Sequence, residues 1–307
     1  MQPVSPTAGE SGYFSAPEQS LDPRLFDGDH LKPGVREMLV RNLYSFWGSK
    51  YNTPRSWSTV WLAGSGISYQ WAASRGNGDL DVLIGVDYDD FYDANPSYRG
   101  LSETDLAAIF NEELHQGLWP HTAETAIGGG IFEVTYYVNP NSTDIRNINP
   151  YAAYDLSHDS WTVRPPSGDA FNHPQEFYTS AEAEAKQARQ IVDQYNTLAN
   201  SAKAMNPGSP GWHNTMRQME LVTGQAAAMF DSIHLGRKQA FGPGGSGYGD
   251  WYNFRWQYHK QQGTAQALHA VAQASKTARE DYNTAVYGGP IDAADVALRR
   301  AALWNRR

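Results

Sequence analysis

Two aspartates separated by one residue are the most chemically informative feature of the sequence. Asp79 and Asp81 open a run in which the alternate positions are apolar: Leu80, Val82, Ile84 and Val86. Successive side chains of a β-strand point to opposite faces, so the two carboxylates project together from one face. Adjacent carboxylates repel each other unless a cation lies between them. The pattern therefore predicts a divalent metal site at the start of a strand.

A second part of the motif lies upstream of this strand. A strand is predicted over 58–63, and Gly64 and Ser65 follow it directly. Thirteen residues separate Ser65 from Asp79. The pattern consists of an apolar residue, Gly, Ser, a spacer and two carboxylates that alternate with apolar residues. It resembles the signature of the nucleotidyltransferase superfamily that includes DNA polymerase beta. The resemblance covers residues 33–166. It implies an α+β fold, in which a nucleotidyltransferase-like mixed sheet with flanking helices is followed by a helical domain.

The same resemblance implies a third carboxylate on a later strand, between apolar residues. Glu133, within Phe132-Glu133-Val134, fits that position. Asp87 shares the face of Asp81 but lies six residues further on, about 20 Å along an extended strand, which is too far to share an ion. Three aspartates in less regular sequence stay open as alternatives: Asp144, Asp155 and Asp159.

Two-metal nucleotidyl transfer is the chemistry that the resemblance implies for these carboxylates. Two Mg²⁺ ions about 3.5–4 Å apart stabilise the attacking and leaving oxygens, and Mn²⁺ is expected to substitute. Magnesium binds carboxylate oxygens and keeps substrate phosphates among its ligands. Asp79 and Asp81 would bridge both ions. Glu133 would hold the ion that activates the acceptor hydroxyl, and would take the hydroxyl proton.

Nucleotide binding is expected from the turn and from cations later in the chain. Glycines at 64 and 66 let backbone N–H groups approach a triphosphate, and the Ser65 hydroxyl adds a donor. A short helix predicted over 67–74, which contains Ser68, would point its positive end at the same phosphates. Positive charge for the triphosphate tail is expected from the end of a later helix, at Arg237 and Lys238. Other candidate cations are Arg255, His259 and Lys260.

The remaining patterns predict the elements that position these residues. The first half is expected to contain a helix from Pro33, a strand over 79–86, a capped helix over 102–116, a strand over 131–138, a turn or short helix over 150–154, and a strand over 161–163. Long helices are expected from a capping box at Thr179, after Gly211, after Gly263 and from Asp292. The predicted division is a flexible N-terminus over 1–22, a catalytic domain over 23–170 and a helical domain over 171–307.

Composition limits the class of protein. The chain has 307 residues, no cysteine and a formal net charge of −9, which excludes thiol chemistry and disfavours coating of nucleic acid through phosphate contacts. The N-terminus lacks the basic start and apolar stretch of a secretion signal, so a cytoplasmic protein without membrane association is expected.

The expected substrate is a nucleoside triphosphate, ATP included. The hydroxyl acceptor stays open between an RNA 3′ end, a nucleotide, a protein and a small molecule. A catalytically silent nucleotide-binding or interaction protein on the same fold is the alternative.

Overall fold

The computed structural model describes residues 4–6, 12–71, 79–139, 143–206 and 208–274. These residues belong to two compact units. Among the described residues, the sheet unit lies within Glu10–Pro174 and Arg237–Phe254, and the helical unit contains 4–6, Gln175–Gly236 and 255–274. The division into 1–22, 23–170 and 171–307 expected from the sequence stays a prediction.

The sheet unit is built on a mixed five-stranded sheet. The strands of the described chain are β1 (Phe26–Asp27), β2 (His30–Leu31), β3 (Ser58–Ala63), β4 (Leu80–Val86), β5 (Thr125–Ile127), β6 (Gly130–Phe132), β7 (Val134–Val138), β8 (Ala153–Asp155) and β9 (Ser160–Val163). The large sheet has the order β7-β4-β3-β8-β9. Strand β4 is antiparallel to β3 and parallel to β7. With its flanking helices the unit is an α+β fold.

Helices flank this sheet and make up the helical unit. They are α1 (Pro33–Gly48), α2 (Pro54–Trp57), α3 (Tyr88–Ala94), α4 (Glu103–Glu113), α5 (Trp119–Thr122), α6 (Gln175–Lys203), α7 (Pro210–Ala240) and α8 (Trp251–Gln261), followed by helical residues 264–274. A π-helical turn, Leu114–Leu118, joins α4 to α5. In the part of the chain that the structure describes, no helix is long and apolar enough to cross a membrane.

The two faces of the sheet differ in character. One face is part of the main core, where alternate residues of β3, β4 and β7 pack with Leu39 and Leu43 of α1 and Phe110 of α4. On the other face, a smaller apolar cluster around Trp61, Ala63, Ile145 and Ala153 covers part of the surface. Asp81 and Thr135 follow the alternation onto this second face. The two candidate carboxylates therefore lie on the side of the sheet away from the main core.

Several local predictions are confirmed. Helix α1 begins at Pro33, and β3 occupies Ser58–Ala63. The Ser102 hydroxyl accepts a hydrogen bond from the Asp105 backbone N–H at 3.1 Å, as the capping pattern predicts for the start of α4. Each of these features depends on residues close together in sequence.

The short helix predicted over 67–74 is wrong in its described part. Ser65–Ile67 forms a single 3₁₀ turn, and Ser68 already has an extended backbone. This turn packs against the residue before β4, since a Cβ at Gly66 would lie 2.6 Å from the Asp79 carbonyl oxygen. Residues 72–74 of the predicted helix lie outside the described chain. The helix end that was expected to face the phosphates is therefore absent over 65–71.

Three further boundaries differ from the prediction because distant parts of the chain compete for the backbone. The strand expected over 131–138 changes partner at Glu133, since β6 pairs with β5 and β7 pairs with β4. A turn or short helix was expected over 150–154, but Ala153–Asp155 forms strand β8 and pairs with β3. Helix α6 begins at Gln175 instead of Thr179, and the Thr179 hydroxyl donates back to the Gln175 carbonyl. The helix expected from Asp292 lies outside the described residues.

The helical unit contains a partly buried polar network beside its apolar core. The core is formed by α6, α7 and the helical residues after Gly263, with Val192, Tyr195, Ala226 and Leu268 among its members. Glu184 Oε2 accepts hydrogen bonds from Arg255 Nε at 2.6 Å and from His259 Nε2 at 3.3 Å. The His259 side chain is fully buried, so its Glu184 and Thr264 partners satisfy groups that water cannot reach.

The Glu184 network predicts a pH-dependent contribution to stability. Burial raises the pKa of Glu184, but hydrogen bonds from His259 and Arg255 outweigh burial and hold it below the ordinary value of 4.5. A depressed carboxyl pKa stabilises the fold above that value, and the contribution is lost as the pH falls. We expect Glu184→Gln to lower the free energy of unfolding by about 1.5–3 kcal/mol at pH 7. The deficit should shrink below pH 4.5 in thermal melts, with the exposed Glu220→Gln as control.

Candidate active site

The sheet places the two aspartates at one end of β4. Asp79 immediately precedes the strand, and Asp81 is its second residue. Asp81 lies opposite Ala63 at the end of β3 and opposite Thr135 near the start of β7. Solvent reaches both aspartates, but the protein packed around the Asp81 carboxyl removes enough water to shift its pKa. The structure therefore brings the aspartate pair next to the turn that follows β3, as the sequence motif predicts.

Asp81 is the most electrostatically perturbed group of this site. Desolvation by the surrounding protein raises the pKa of the Asp81 carboxyl, and the charges of Asp79 and Glu133 raise it further. A hydrogen bond from Thr135 Oγ1 to Asp81 Oδ1, 3.0 Å long, and the charge of Arg237 act in the opposite direction. The net shift is upward. The ionised form of Asp81 is thus less favoured in the protein alone than in water, and a bound cation would favour it.

The Gly64–Gly66 turn approaches the aspartates without any intervening side chain. Gly64 has a φ of +92°, a left-handed backbone that favours glycine. A Cβ at this position would lie 3.0 Å from Asp81 Oδ2. Ser65 is exposed, whereas Ser68 is buried and its hydroxyl donates to the Ser65 carbonyl at 2.8 Å. Ser68 therefore stabilises the turn from its buried side and is not one of the proposed nucleotide contacts.

Glu133 lies at the junction of β6 and β7 beside the aspartate pair. Its carbonyl oxygen accepts a hydrogen bond from the Leu80 N–H at 2.8 Å, which connects it directly to β4. Its side chain is half-buried, and Oε1 accepts a hydrogen bond from Trp119 Nε1 at 2.8 Å. Because its charge raises the pKa of Asp81, Glu133 lies within electrostatic range of that aspartate.

The donor set suits magnesium chemically, although the protein alone does not assemble a complete cage. Within the described ranges, no three His, Asp or Glu side chains are grouped closely enough to hold a metal ion. Asp79, Asp81 and Glu133 nevertheless offer only oxygen atoms, and the missing Cβ at Gly64 leaves Asp81 Oδ2 uncovered on that side. Magnesium is usually held by one or two carboxylates together with substrate phosphates. The residues therefore fit an ion whose coordination is completed by a bound triphosphate.

The other aspartates considered from the sequence have structural roles elsewhere. Asp87 accepts from the Asp90 N–H at 3.1 Å and caps α3. The remaining three bind neighbours: Asp144 pairs with Arg146 at 2.9 Å, Asp155 contacts His158 at 2.9 Å, and Asp159 accepts from the Tyr154 hydroxyl at 2.9 Å.

The candidate cations separate into two groups. Arg237 and Lys238 lie in the last turn of α7 with exposed side chains, and the charge of Arg237 acts on Asp81 within the sheet unit. In the helical unit, Arg255 and His259 are both bound to Glu184. Their pairing makes Arg255 and His259 structural groups, whereas the charge of Arg237 lowers the pKa of the Asp81 carboxyl.

Two residues near the site were missed from the sequence. Thr135 is two residues beyond Glu133, so strand alternation alone places it on the same face and gives a usable signal. Trp119 has no such signal, because its hydrogen bond to Glu133 depends on how the helical run 103–122 packs against β7.

Comparisons with known proteins add no assignment to this geometry. No family model, no curated protein and no solved structure matches the chain. The class of protein is therefore argued from the residues and their arrangement.

Proposed function

We propose that the protein is a magnesium-dependent nucleotidyltransferase that moves a nucleoside monophosphate from a nucleoside triphosphate to a hydroxyl acceptor. The observation that carries the proposal is the environment of Asp81. Its carboxylate has a raised pKa, adjoins a second aspartate, faces the glycine turn and lies in the field of Arg237. This combination suits an anionic substrate that arrives with divalent metal.

The order of the strands supports the same proposal. The turn after β3, the aspartates of β4 and Glu133 before β7 come from three neighbouring strands of one sheet. Neighbouring strands lie about 4.8 Å apart, so these elements are within the reach of a single triphosphate. A rigid sheet also positions catalytic groups better than three separate loops would.

In the proposed reaction, the acceptor oxygen forms a bond to the α-phosphorus. The bond from the α-phosphorus to the bridging oxygen breaks, and pyrophosphate leaves with the electron pair. Magnesium, when bound, neutralises charge on the attacking and leaving oxygens. Asp79 and Asp81 would hold the metal with its triphosphate against the sheet, and Glu133 would take the acceptor proton. Backbone N–H groups of the Gly64–Gly66 turn and the side chains of Ser65, Arg237 and Lys238 contact the phosphates.

A nucleotide-binding protein without turnover is the second candidate. The absence of a preassembled group of three metal-binding side chains within the described ranges favours it. In that case the triphosphate would bind without cleavage of the α–β bond. Mg²⁺-independent binding, measured by calorimetry, would favour this candidate over the transferase.

The decisive assay compares nucleoside triphosphates that are labelled at different phosphates. We expect transfer from ATP, or from another triphosphate labelled at the α-phosphate, and none from the same nucleotide labelled at the γ-phosphate. Acceptors should be supplied in turn as RNA, nucleotides, the protein fraction and the small-molecule fraction of a cell extract. Transfer should require Mg²⁺ or Mn²⁺ and should release pyrophosphate. Label transfer from the γ-position alone would contradict the proposal and indicate a kinase.

The acceptor class, the preferred base and the cytoplasmic location stay predictions.

A further inference from the structure

Trp119 lies where the helical run beside β7 changes its geometry. Helix α4 ends at Glu113, the π-helical turn Leu114–Leu118 follows, and α5 begins with Trp119. Turns of this kind are rare and are frequently found at functional sites, where the extra residue changes the direction of a neighbouring side chain. The turn packs closely, since a Cβ at Gly117 would lie 2.7 Å from the ring of Phe46. The position of Trp119 is therefore fixed by the fold around it.

The indole of Trp119 binds the candidate third carboxylate directly. Its Nε1 donates to Glu133 Oε1 at 2.8 Å. An indole nitrogen only donates, so the bond fixes Oε1 as its acceptor and sets the direction of the carboxylate plane. The other carboxylate oxygen, Oε2, takes no part in this hydrogen bond. The ring of His115 stacks on the indole at 5.4 Å with an interplanar angle of 6°, which restricts its rotation.

The same helical end also holds the backbone next to Glu133. Thr122, three residues after Trp119, donates its hydroxyl to the Val134 carbonyl at 2.7 Å. At the other end of the strand, the Asn111 side chain bonds both the N–H and the carbonyl of Val138. The helical run thus fixes β7 at both ends, and it fixes the Glu133 side chain at the end that faces the aspartates.

We propose that Trp119 is a positioning residue, which holds the Glu133 carboxylate in the orientation needed to bind metal. This inference rests on the proposed function, because it assumes that Glu133 contacts a divalent ion when the triphosphate is bound. Hydrogen bonds to ligand carboxylates orient them, and the loss of such a partner typically weakens metal affinity about 10–100-fold.

Metal affinity provides the test without any measurement of turnover. The probe is Mn²⁺ in the presence of α,β-methylene-ATP, with free Mn²⁺ followed by electron paramagnetic resonance. Trp119→Phe should raise the Mn²⁺ dissociation constant about tenfold. Glu133→Gln should raise it at least as much, and the double variant should match Glu133→Gln alone. Trp161→Phe is the matched control, because it removes an indole donor bound to the Asp29 carbonyl at 2.7 Å.

The failures of the two proposals are distinguishable. If Glu133→Gln weakens Mn²⁺ binding but Trp119→Phe does not, or if the two effects add, the positioning role of Trp119 is overturned. If Glu133→Gln has no effect, or the wild-type protein binds no Mn²⁺ with the nucleotide, the proposed site itself fails and the inference fails with it. Should Trp119→Phe not fold, Trp119→His keeps a planar ring with an N–H donor. Affinity near wild type would then support the proposal, and affinity equal to that of Glu133→Gln would overturn it.

Discussion

Replacing Asp81 with asparagine is expected to abolish label transfer while leaving the fold at least as stable. Metal ions contribute several kcal/mol to the stabilisation of such transition states, so the loss of a ligand should lower the rate by about 10³-fold or more. Asparagine can still accept the hydrogen bond from Thr135 Oγ1. The substitution therefore removes the charge and leaves the local packing in place.

The stability of the same variant follows from the direction of the pKa shift. The pKa of Asp81 is raised, mainly by burial of its surroundings, so the ionised carboxylate destabilises the folded protein at neutral pH. Asp81→Asn removes this penalty, and its melting temperature without metal should equal or exceed that of the wild type. Wild-type stability should increase when the pH is lowered through the folded pKa of Asp81, and the variant should lack this component. Thermal melts across pH 4–7 measure the difference.

An exposed aspartate on another strand supplies the control. Asp27 of β1 is exposed, and Asp27→Asn should leave both transfer and melting temperature unchanged. Full activity in Asp81→Asn would contradict a catalytic role for that carboxylate. A lower melting temperature with undiminished transfer per folded molecule would identify Asp81 as a structural residue.

Replacing Gly64 with alanine is expected to damage both the turn and the site. The backbone φ of +92° is unfavourable for alanine, with a strain of about 1–3 kcal/mol. The new Cβ would also lie 3.0 Å from Asp81 Oδ2, so the carboxylate must move. Relief of this contact needs a shift of a few tenths of an ångström, whereas a misplacement of about 1 Å costs about 10²-fold in rate. We therefore expect transfer per folded molecule to fall by less than that, on the order of tenfold.

Gly129→Ala is the control that separates backbone strain from the contact with Asp81. Gly129 has a φ of +84°, close to that of Gly64, but a Cβ added there meets nothing within 4 Å. Gly129→Ala should lose comparable stability in thermal melts and retain full transfer activity. Equal losses of activity in the two variants would show that backbone strain, and not the contact with Asp81, explains the result for Gly64.

Local sequence patterns predicted the parts of the fold that neighbouring residues determine. Pro33 at the start of α1, the Ser102 cap of α4 and the limits of β3 all depend on residues within a few positions. The sequence motif placed Gly64 and Asp81 in one candidate site, and the antiparallel pairing of β3 with β4 brings them together.

Other features depend on contacts that no local pattern contains. The strand over 131–138 breaks at Glu133 because two different strands compete for its two halves. The capping box at Thr179 is not used, and the Glu182 carboxylate binds the Tyr258 hydroxyl and Arg189 instead. The contact between Trp119 and Glu133 requires both the π-helical turn and its packing against β7. Tertiary packing decided these elements.

The most direct test of the central claim is a crystal structure with α,β-methylene-ATP and Mn²⁺, with anomalous scattering used to locate the metal. The proposal predicts two anomalous peaks about 3.5–4 Å apart. Both should contact Asp79 and Asp81, with Glu133 reaching one of them and the triphosphate lying against Gly64–Gly66. A triphosphate bound elsewhere, or metal that contacts none of these carboxylates, would contradict the assignment of this site to nucleotidyl transfer.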